Sequence, residues 1–282
     1  MDDLAFVAAS AAEIDRIVIR AHELAADYSA KPAVLSELTA YPQLLNTAAI
    51  VLLARPLTRE AIGRIVPYTP PELIDALLDN NRDEGVVTVE GGQISLTDRG
   101  RLFAEAVVEV QDTAVAHGWS SATDHLEAAQ RLLASCVDHA ATLKPPRTPS
   151  NFELFAPAVD RRSPAARVLR LVTALRYWRA DAHACVLAEA GLEPFEAHAL
   201  NRLWDEHRGI DRVGQGFPRP GSKGVASLEE RGLAVDGGIT ARGIEIREEI
   251  ERETDRATLP AYAALDERMR ADLLAAITAI PA

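Results

Sequence analysis

One five-residue segment occurs twice in this chain, and it constrains the fold more than any other feature of the sequence. The copies are Leu96-Thr97-Asp98-Arg99-Gly100 and Ile239-Thr240-Ala241-Arg242-Gly243, which lie 143 residues apart. Each copy follows a short stretch typical of a β-hairpin and precedes a long amphipathic helix. The repetition favours an internal duplication over the alternative of two unrelated helix–hairpin–helix segments.

The first predicted unit has the element order of a winged helix. Apolar residues recur at helical spacing over about residues 10–28 and 42–54. Thr58 and Thr69 are predicted to cap two further helices, because threonine accepts hydrogen bonds from the free amides of a first turn. A hairpin then turns at Glu90-Gly91-Gly92-Gln93 before the repeated segment. The expected order is therefore helices, a two-stranded wing and a final helix.

The second predicted unit repeats this order with a shorter wing. It contains a helix over about 168–190, a turn at Gly191-Leu192-Glu193-Pro194 and a candidate recognition helix over 223–231. A wing over 232–239 leads into a helix that continues to about Thr254. The predicted fold class is mainly α with small β-hairpin wings, a tandem winged helix whose two diverged copies form a pseudo-dimer within one chain.

Proline spacing predicts where the two units separate. Residues 144–151 contain three prolines, which favours an extended linker. We therefore expect a first winged-helix domain over 1–143, a linker over 144–163 and a second winged-helix domain over 164–282. The helix predicted over Thr123–Ala140 either closes the first domain or bridges the two.

Composition indicates a globular protein without an obvious prosthetic group. Hydrophobic residues make up 48% of the 282 residues and charged residues 26%, which is a folded profile. The acidic N-terminus is unlike a secretory signal and no apolar run approaches ~20 residues, so we expect a cytoplasmic protein with no membrane partner. The sequence shows no phosphate loop, serine elbow or zinc-ligand spacing. We therefore assign no catalytic residue, cofactor or metal.

Charge separates the two units as candidates for DNA binding. The chain has a net charge of −12. Between Glu72 and Glu90 the sequence contains six acidic residues and one arginine. Such a surface repels phosphate. From Arg219 to Arg242, the sequence contains four basic and three acidic residues. DNA contact is therefore predicted only through the second unit, with the alternative of a solvated loop, and its candidate residues are Arg212, Arg219 and Lys223.

A polar and aromatic cluster on the helix over 168–190 suggests a ligand site. Arg176, Arg179 and His183 share one helix face, and a second group follows in the next helix. Arginine could pair with an anionic ligand and tryptophan could stack on an aromatic one. The alternative is a helix face whose arginines pair with neighbouring acids such as Asp181 or Asp205. The candidate ligand-binding residues, in a cleft between the copies, are Arg176, Trp178, Arg179, Asp181, His183, Trp204 and His207.

The sequence resembles known regulators at these motifs. Leu96-Thr97-Asp98-Arg99-Gly100, with Glu84-Gly85-Val86 before it, resembles the wing of multiple-antibiotic-resistance (MarR) type winged-helix regulators. The region from about 165 to 280 resembles the actinobacterial SalK-like helix-turn-helix family. The segments that carry this second resemblance are 176–183, 190–192, 203–204, 231–233 and 251–255. The resemblance implies a fold more than an activity.

Three functions remain open at this point. The leading hypothesis is a regulator-like protein that binds a small ligand between its copies and contacts DNA weakly through the second copy. A second hypothesis is a binding or sequestration protein derived from this fold that no longer contacts DNA. A third is an enzyme that uses His183 as an acid or base beside Asp181 or Arg179.

Overall fold

The computed structural model describes residues 2–28, 43–67, 69, 71–159, 163–210 and 222–281. These residues form twelve α-helices, five short strands and three 3₁₀ turns. The helices are α1 (Asp3–Asp27), α2 (Gln43–Ala54), α3 (Arg59–Ile65), α4 (Pro71–Asp83), α5 (Asp98–Gly118), α6 (Thr123–Ala140), α7 (Phe152–Phe155), α8 (Pro164–Glu189), α9 (Pro194–His207), α10 (Ser222–Glu230), α11 (Ala241–Thr258) and α12 (Glu267–Thr278). The strands are β1 (Leu57–Thr58), β2 (Val87–Glu90), β3 (Gln93–Leu96), β4 (Ala234–Val235) and β5 (Gly238–Ile239).

The strands form two small antiparallel sheets, one in each half of the chain. The first sheet has the order β1-β3-β2, with Val87 opposite Leu96 and Leu57 opposite Ile94. The second sheet contains only β4 and β5, with Ala234 opposite Ile239. The fold is therefore mainly helical with two hairpins, as the sequence predicts, and each repeated segment follows a hairpin.

The two hairpins have the same local geometry where they join the following helix. Thr97 and Thr240 each accept a hydrogen bond from the amide three residues later, at 3.0 and 3.1 Å. Their hydroxyls also donate to the carbonyls of Gly85 and Gly232 at 2.6 and 2.9 Å. Each threonine therefore joins the start of a helix to the start of its own wing, which explains why this residue recurs.

The glycine at the end of each repeated segment allows the helix to pass beneath the hairpin. A Cβ atom on Gly100 would lie 1.8 Å from the carbonyl oxygen of Val86. A Cβ atom on Gly243 would lie 2.3 Å from the carbonyl oxygen of Leu233. Backbone atoms cannot rotate away as a side chain can, so only glycine fits at either position.

The helices before the two wings also end in the same way. Gly85 and Gly232 adopt positive φ angles of 67° and 70°. The amides of Val86 and Leu233 then bond to carbonyls five residues earlier, at 2.8 Å in both cases. This is the Schellman ending, for which glycine is favoured because other residues are strained in the left-handed region.

Buried residues form three clusters, and the largest crosses the predicted domain boundary. It combines residues of α1, α6, α8 and α12, including Trp119, Leu133 and Leu171. The other two clusters lie under the first and second hairpins. The division expected at 144–163 therefore does not separate two independent cores, because helices from both sides of it bury their apolar faces together.

The apolar face of the central helix α8 packs on elements of both halves of the chain. Its positions Val168, Leu171, Val172 and Leu175 lie in the shared helical cluster and not under the second hairpin. The last part of the helix, at Leu187, contacts the cluster under the second hairpin. Helical spacing shows which residues share a face, but it does not show which partner covers that face.

The segment expected to be an extended linker is partly buried. Ser150 and Asn151 are 2% and 3% exposed. The carboxylate of Asp181 accepts hydrogen bonds from the Ser150 hydroxyl and from the amides of Asn151 and Phe152, at 2.7 to 3.0 Å. This segment is fastened to the middle of α8 instead of separating two domains. Within the described residues, no helix is both long and apolar enough to cross a membrane.

Candidate ligand cleft and helix-turn-helix unit

An open cleft of about 1530 Å³ lies along α8, between elements of the two halves of the chain. Residues of α1, α3 and α5 form one wall, and residues of α9 and α11 form the other. Nine arginines and five acidic residues line it, so the lining is positive although the whole chain has a net charge of −12. A positive cleft in an acidic protein attracts anions selectively to that place.

The structure brings four of the seven candidate ligand residues to this cleft. Arg176, Arg179, His183 and Trp204 line it. Trp178, Asp181 and His207 do not. His207 is exposed near the end of α9. The helix face proposed from sequence therefore meets the cleft, while the residues proposed on its neighbouring faces lie elsewhere.

Trp178 belongs to the hydrophobic core, which contradicts its expected role in stacking on a ligand. Its side chain is 2% exposed and its ring meets that of Phe152 edge to face, with centroids 5.2 Å apart. The position is explained by helix geometry, because residue 178 points away from the face that carries Arg176 and Arg179. A ligand in the cleft cannot reach this ring.

Asp181 also lies in the interior, where it binds backbone and hydroxyl donors and not a ligand. It is fully buried, and burial raises the pKa of its carboxyl, although the three donors from residues 150–152 oppose this rise. The expectation that it neutralises a neighbouring arginine of α8 is wrong. Its three hydrogen bonds hold residues 150–152 against α8.

Arg176 forms an exposed ion pair with α1. Its Nε donates to Asp15 Oδ1 at 2.7 Å, and the two side chains are 40% and 50% exposed. Exposed pairs of this kind contribute little to stability. His22 lies nearby on α1, and burial among the cleft walls and then the charges of Arg176 and Arg170 lower the pKa of its imidazole. This part of the cleft carries concentrated positive charge.

Arg179 joins α8 to α11 through two carboxylates. Its guanidinium donates to Glu251 at 2.6 Å and to Asp255 at 3.0 Å. Burial would lower the pKa of Arg179, but the two carboxylates outweigh it and raise that pKa. Burial would raise the pKa of Glu251, whereas Arg179 and Arg247 lower it. Arg179 therefore pairs with acids, as in the alternative drawn from the sequence, but these acids are 72 and 76 residues away.

His183 lies in the same network and is held by a threonine. Its Nδ1 is 3.0 Å from Thr254 Oγ1, which itself donates to the carbonyl of Ile250. The threonine oxygen therefore accepts, and Nδ1 carries the proton. Burial, and then the charges of Arg179 and Arg247, lower the pKa of His183 to about 4 against the opposing effect of Glu251. A neutral, hydrogen-bonded imidazole gives little support to the enzyme hypothesis.

Trp204 is part of a cation–π stack that sequence reasoning missed. The guanidinium carbons of Arg208 and Arg247 lie 4.7 and 4.9 Å from its ring centroids. Arg247 also donates to Asn201 Oδ1 at 2.7 Å. The indole is already covered by cations, which fixes α11 against α9. The sequence shows the i, i+4 spacing of Arg247 and Glu251, which are 2.7 Å apart, but not the contacts of Arg247 with Asn201 and Trp204, which are more than 40 residues away.

The helix α10 has the exposed position of a recognition helix. Its Gly224 packs so closely on α9 that an added Cβ would lie 2.8 Å from the carbonyl oxygen of Phe195. Lys223 is exposed beside it, with its Nζ 4.6 Å from the Phe195 ring centroid. The other two predicted DNA-binding residues, Arg212 and Arg219, lie outside the described residues.

The helix before the first hairpin, α4, has its one arginine in exposed ion pairs. Arg82 pairs with Asp79 at 3.0 Å and contacts Asp83 at 3.5 Å. Arg59, at the start of α3, pairs with Asp75 of α4 at 2.5 Å. These pairs leave no cation of α4 available for phosphate, in agreement with the acidic sequence of this surface.

Comparison with known proteins identifies only the second half. A search of curated proteins found no match, and a search of solved structures found none either. A family model described as a helix-turn-helix family matches residues 154–282, which contain α8 to α12 and the second hairpin. This part of the chain is therefore similar to a helix-turn-helix family, and the match covers less than half of the chain.

Proposed function

We propose that this chain is a regulator-like DNA-binding protein built from two winged-helix units that form a pseudo-dimer. In this proposal the second unit contacts DNA, and the cleft between the units binds a small anionic ligand. The observation that carries the proposal is the exposed helix α10, which is packed across α9 and followed by a hairpin in a helix-turn-helix domain. That arrangement presents one helix to the major groove.

The comparison of the two recognition surfaces supports DNA contact through one unit. Lys223 is exposed at the start of α10, whereas Arg82 of α4 is paired with acids. Phosphate binding requires cations that can exchange their counterions for the nucleic acid. The SalK-like or MarR-type relationship and the internal duplication remain part of this proposal, supported by the shared cap, turn and glycine geometry of the two hairpins.

The cleft supports ligand binding because it is large, positive and connected to the second unit. Arg179 and His183 line the cleft and also bind Glu251 and Thr254 of α11, the helix that begins at the second hairpin. An anion that competes for Arg179 would weaken the attachment of that helix. Ligand binding and DNA binding would then be coupled through α11.

The test is DNA binding by fluorescence anisotropy with a labelled mixed-sequence duplex at about 50 and 200 mM salt. We expect weak binding that falls steeply with salt. The double variant Arg219→Glu/Lys223→Glu should abolish it, while the matched variant Arg82→Glu should change it less than about twofold. Circular dichroism would show that each variant is folded. Tight binding that survives the double change and is lost in Arg82→Glu would refute the proposal.

The acidic surface of α4 also favours a second candidate, a sequestration protein without DNA contact. In that case the wild-type chain would not bind DNA even at low salt, although ligands would still occupy the cleft. The same titration distinguishes the two functions, because only the regulator requires Lys223.

A further inference from the structure

We propose that Arg64 and Arg147 form an anion-binding subsite in the cleft, which takes the carboxylate or phosphate group of an organic ligand with a flat apolar body. This inference deepens the proposed function and rests on its ligand-binding part. Neither residue belongs to the face of α8 predicted from sequence. The subsite lies on the wall formed by the end of α3 and by the segment before α7.

Among the described residues, Arg64 forms no ion pair with a carboxylate. It lies in the last turn of α3 and lines the cleft, and its Nε is buried without a hydrogen-bond acceptor. Its side chain makes no hydrogen bond among the described residues, and its backbone carbonyl accepts one from the Asn151 side chain at 2.9 Å. A half-buried guanidinium of this kind retains donors that a bound anion can use.

Arg147 adds a second positive charge at the same place. It is half-buried and lines the cleft, and among the described residues its side chain has no hydrogen bond or ion pair. The pKa of Arg64 is lowered first by burial and then by the charge of Arg147, which shows that the two cations repel each other there. Bringing like charges together costs free energy, and a bound anion would remove that cost.

Neither carboxylate that acts electrostatically on Arg64 forms an ion pair with it among the described residues. Asp181 accepts its three hydrogen bonds from residues 150–152 on Oδ2, while its buried Oδ1 has no hydrogen-bond partner, and Glu60 acts on Arg64 only through its charge. The cleft arginines Arg176 and Arg179, in contrast, each donate to a carboxylate. Among the described residues, Arg64 and Arg147 are therefore two cleft cations that a ligand can bind without displacing an internal acid.

The apolar wall beside the two arginines indicates which kind of ligand body would fit there. Phe155 and Tyr177 are 3% and 7% exposed but, unlike Trp178, they line the cleft, with their ring centroids 4.0 Å apart at an angle of 14°. Ile65 and Val66 extend the apolar surface next to Arg64. A ligand that pairs its anion with the guanidinium groups would place a planar or aliphatic body on this surface, which excludes water from the ion pair and strengthens it.

The experiment compares two probes that differ only in charge. Isothermal titration calorimetry and thermal unfolding would be measured with 1-naphthoate and with its neutral analogue 1-naphthamide, and inorganic phosphate would test the anion alone. We expect naphthoate to bind and to raise the unfolding temperature, and naphthamide to bind at least about tenfold more weakly, a difference of ~1.4 kcal/mol.

Two variants and one control locate the site. Arg64→Gln and Arg147→Gln should each weaken naphthoate binding about tenfold or more, because each removes a charge-assisted pair. The control is Arg131→Gln, an exposed arginine of α6 away from the cleft, and it should bind as wild type does. Without ligand, both cleft variants should unfold at the wild-type temperature or above it, because each relieves repulsion. A large fall would indicate a structural arginine and would overturn the proposal.

The remaining outcomes separate this inference from the proposed function. If naphthoate binds but neither cleft variant weakens it more than about twofold, the subsite is wrong while the ligand-binding cleft stands. If neither naphthoate nor phosphate affects the wild-type chain at millimolar concentration, the anion subsite is overturned. The DNA titration described above would still decide the regulator function independently.

Discussion

The two hairpin units begin their final helices in the same way but attach them to the rest of the molecule by different forces. In the first unit, α5 buries a continuous apolar face that includes Phe103, Val107 and Val110. In the second, α11 buries few apolar side chains, among them Ile250, and is held by Arg179 and its carboxylates. One unit therefore depends on hydrophobic burial and the other largely on electrostatics.

This difference shows that the same hairpin-to-helix junction can carry a helix held by apolar contacts or a helix held by ion pairs. An apolar attachment responds little to salt and pH, because it involves no charge. A network of ion pairs responds to both, and it can be rearranged by a competing anion. The second unit is thus the part of the molecule whose position a cleft ligand could change, and four experiments test the comparison.

The largest expected effect tests the shared geometry beneath the hairpins. Gly100→Ala and Gly243→Ala should each destabilise the protein by about 3 kcal/mol or more, because the new methyl group overlaps a backbone carbonyl. Urea unfolding would measure it. Gly63→Ala is the control: its new Cβ would be 3.8 Å from Ile74, so this helical change should be neutral or stabilising. If only one of the two hairpin glycines is sensitive, the two units do not share this geometry.

The next effect tests the electrostatic attachment of α11. Glu251→Gln should cost about 2 kcal/mol, since the pair with Arg179 is partly buried and lies between the exposed and buried cases. The matched change in the first unit is Asp75→Asn, which breaks the exposed pair with Arg59 and should cost less than about 1 kcal/mol. The loss in Glu251→Gln should shrink at high salt. Equal losses in both variants would contradict the difference between the units.

A smaller effect is the pH dependence of the second unit. The pKa of His183 is lowered from 6.5 to about 4 in the folded chain, so the unfolded chain binds this proton first as pH falls. Stability should therefore decline between pH 6.5 and 4. His183→Asn keeps a donor for Thr254 and should flatten the decline.

The decline should not vanish in that variant, because the lowered pKa of His22 acts in the same direction. Glu251, whose pKa is also lowered, adds a loss at lower pH, and Asp255, whose pKa is raised, opposes it. The control is His117→Asn, an exposed position of α5 in the first unit, and it should retain the wild-type slope. An unchanged slope in His183→Asn would show that this imidazole is not the responsible group.

The smallest effect tests whether the two helix caps are equivalent. Thr97→Ala and Thr240→Ala should each cost about 1 kcal/mol, because each loses the cap and the bond to the preceding wing. The conservative variants Thr97→Ser and Thr240→Ser keep the hydroxyl and should recover most of that loss. A cap that matters in one unit and not in the other would weaken the case for duplication.

Sequence reasoning located the elements well because their signals are local. Thr58 caps α3 as predicted, with its Oγ1 accepting from Ala61 at 3.1 Å. The helix predicted over Thr123–Ala140 has those bounds. The cleft face of α8 was also predicted in part, since Arg176, Arg179 and His183 lie on it. Each of these follows from spacing within a few turns of one helix.

The partners of those residues could not be predicted in the same way. Trp178 was assigned to a ligand but belongs to a core made by α1, α6, α8 and α12. Arg64 and Arg147 are 83 residues apart in sequence and were not selected at all. No spacing rule connects them, because they meet only after α3 and the segment before α7 are placed against α8.

The sequence by itself determined most of the helices, the two hairpins, the repeated caps and glycines, and the contrast in charge between α4 and α10, but not α7, α12 or the first turns of α1. These depend on hydrogen bonds and steric limits among residues at most about a dozen positions apart, so the local chain contains the necessary information. Only the tertiary structure decided that one helical core joins both halves, which side of α8 meets the cleft and which arginines keep free donors there. Those outcomes depend on the burial of apolar faces and on charges from distant segments, whose contacts exist only once the whole chain has packed.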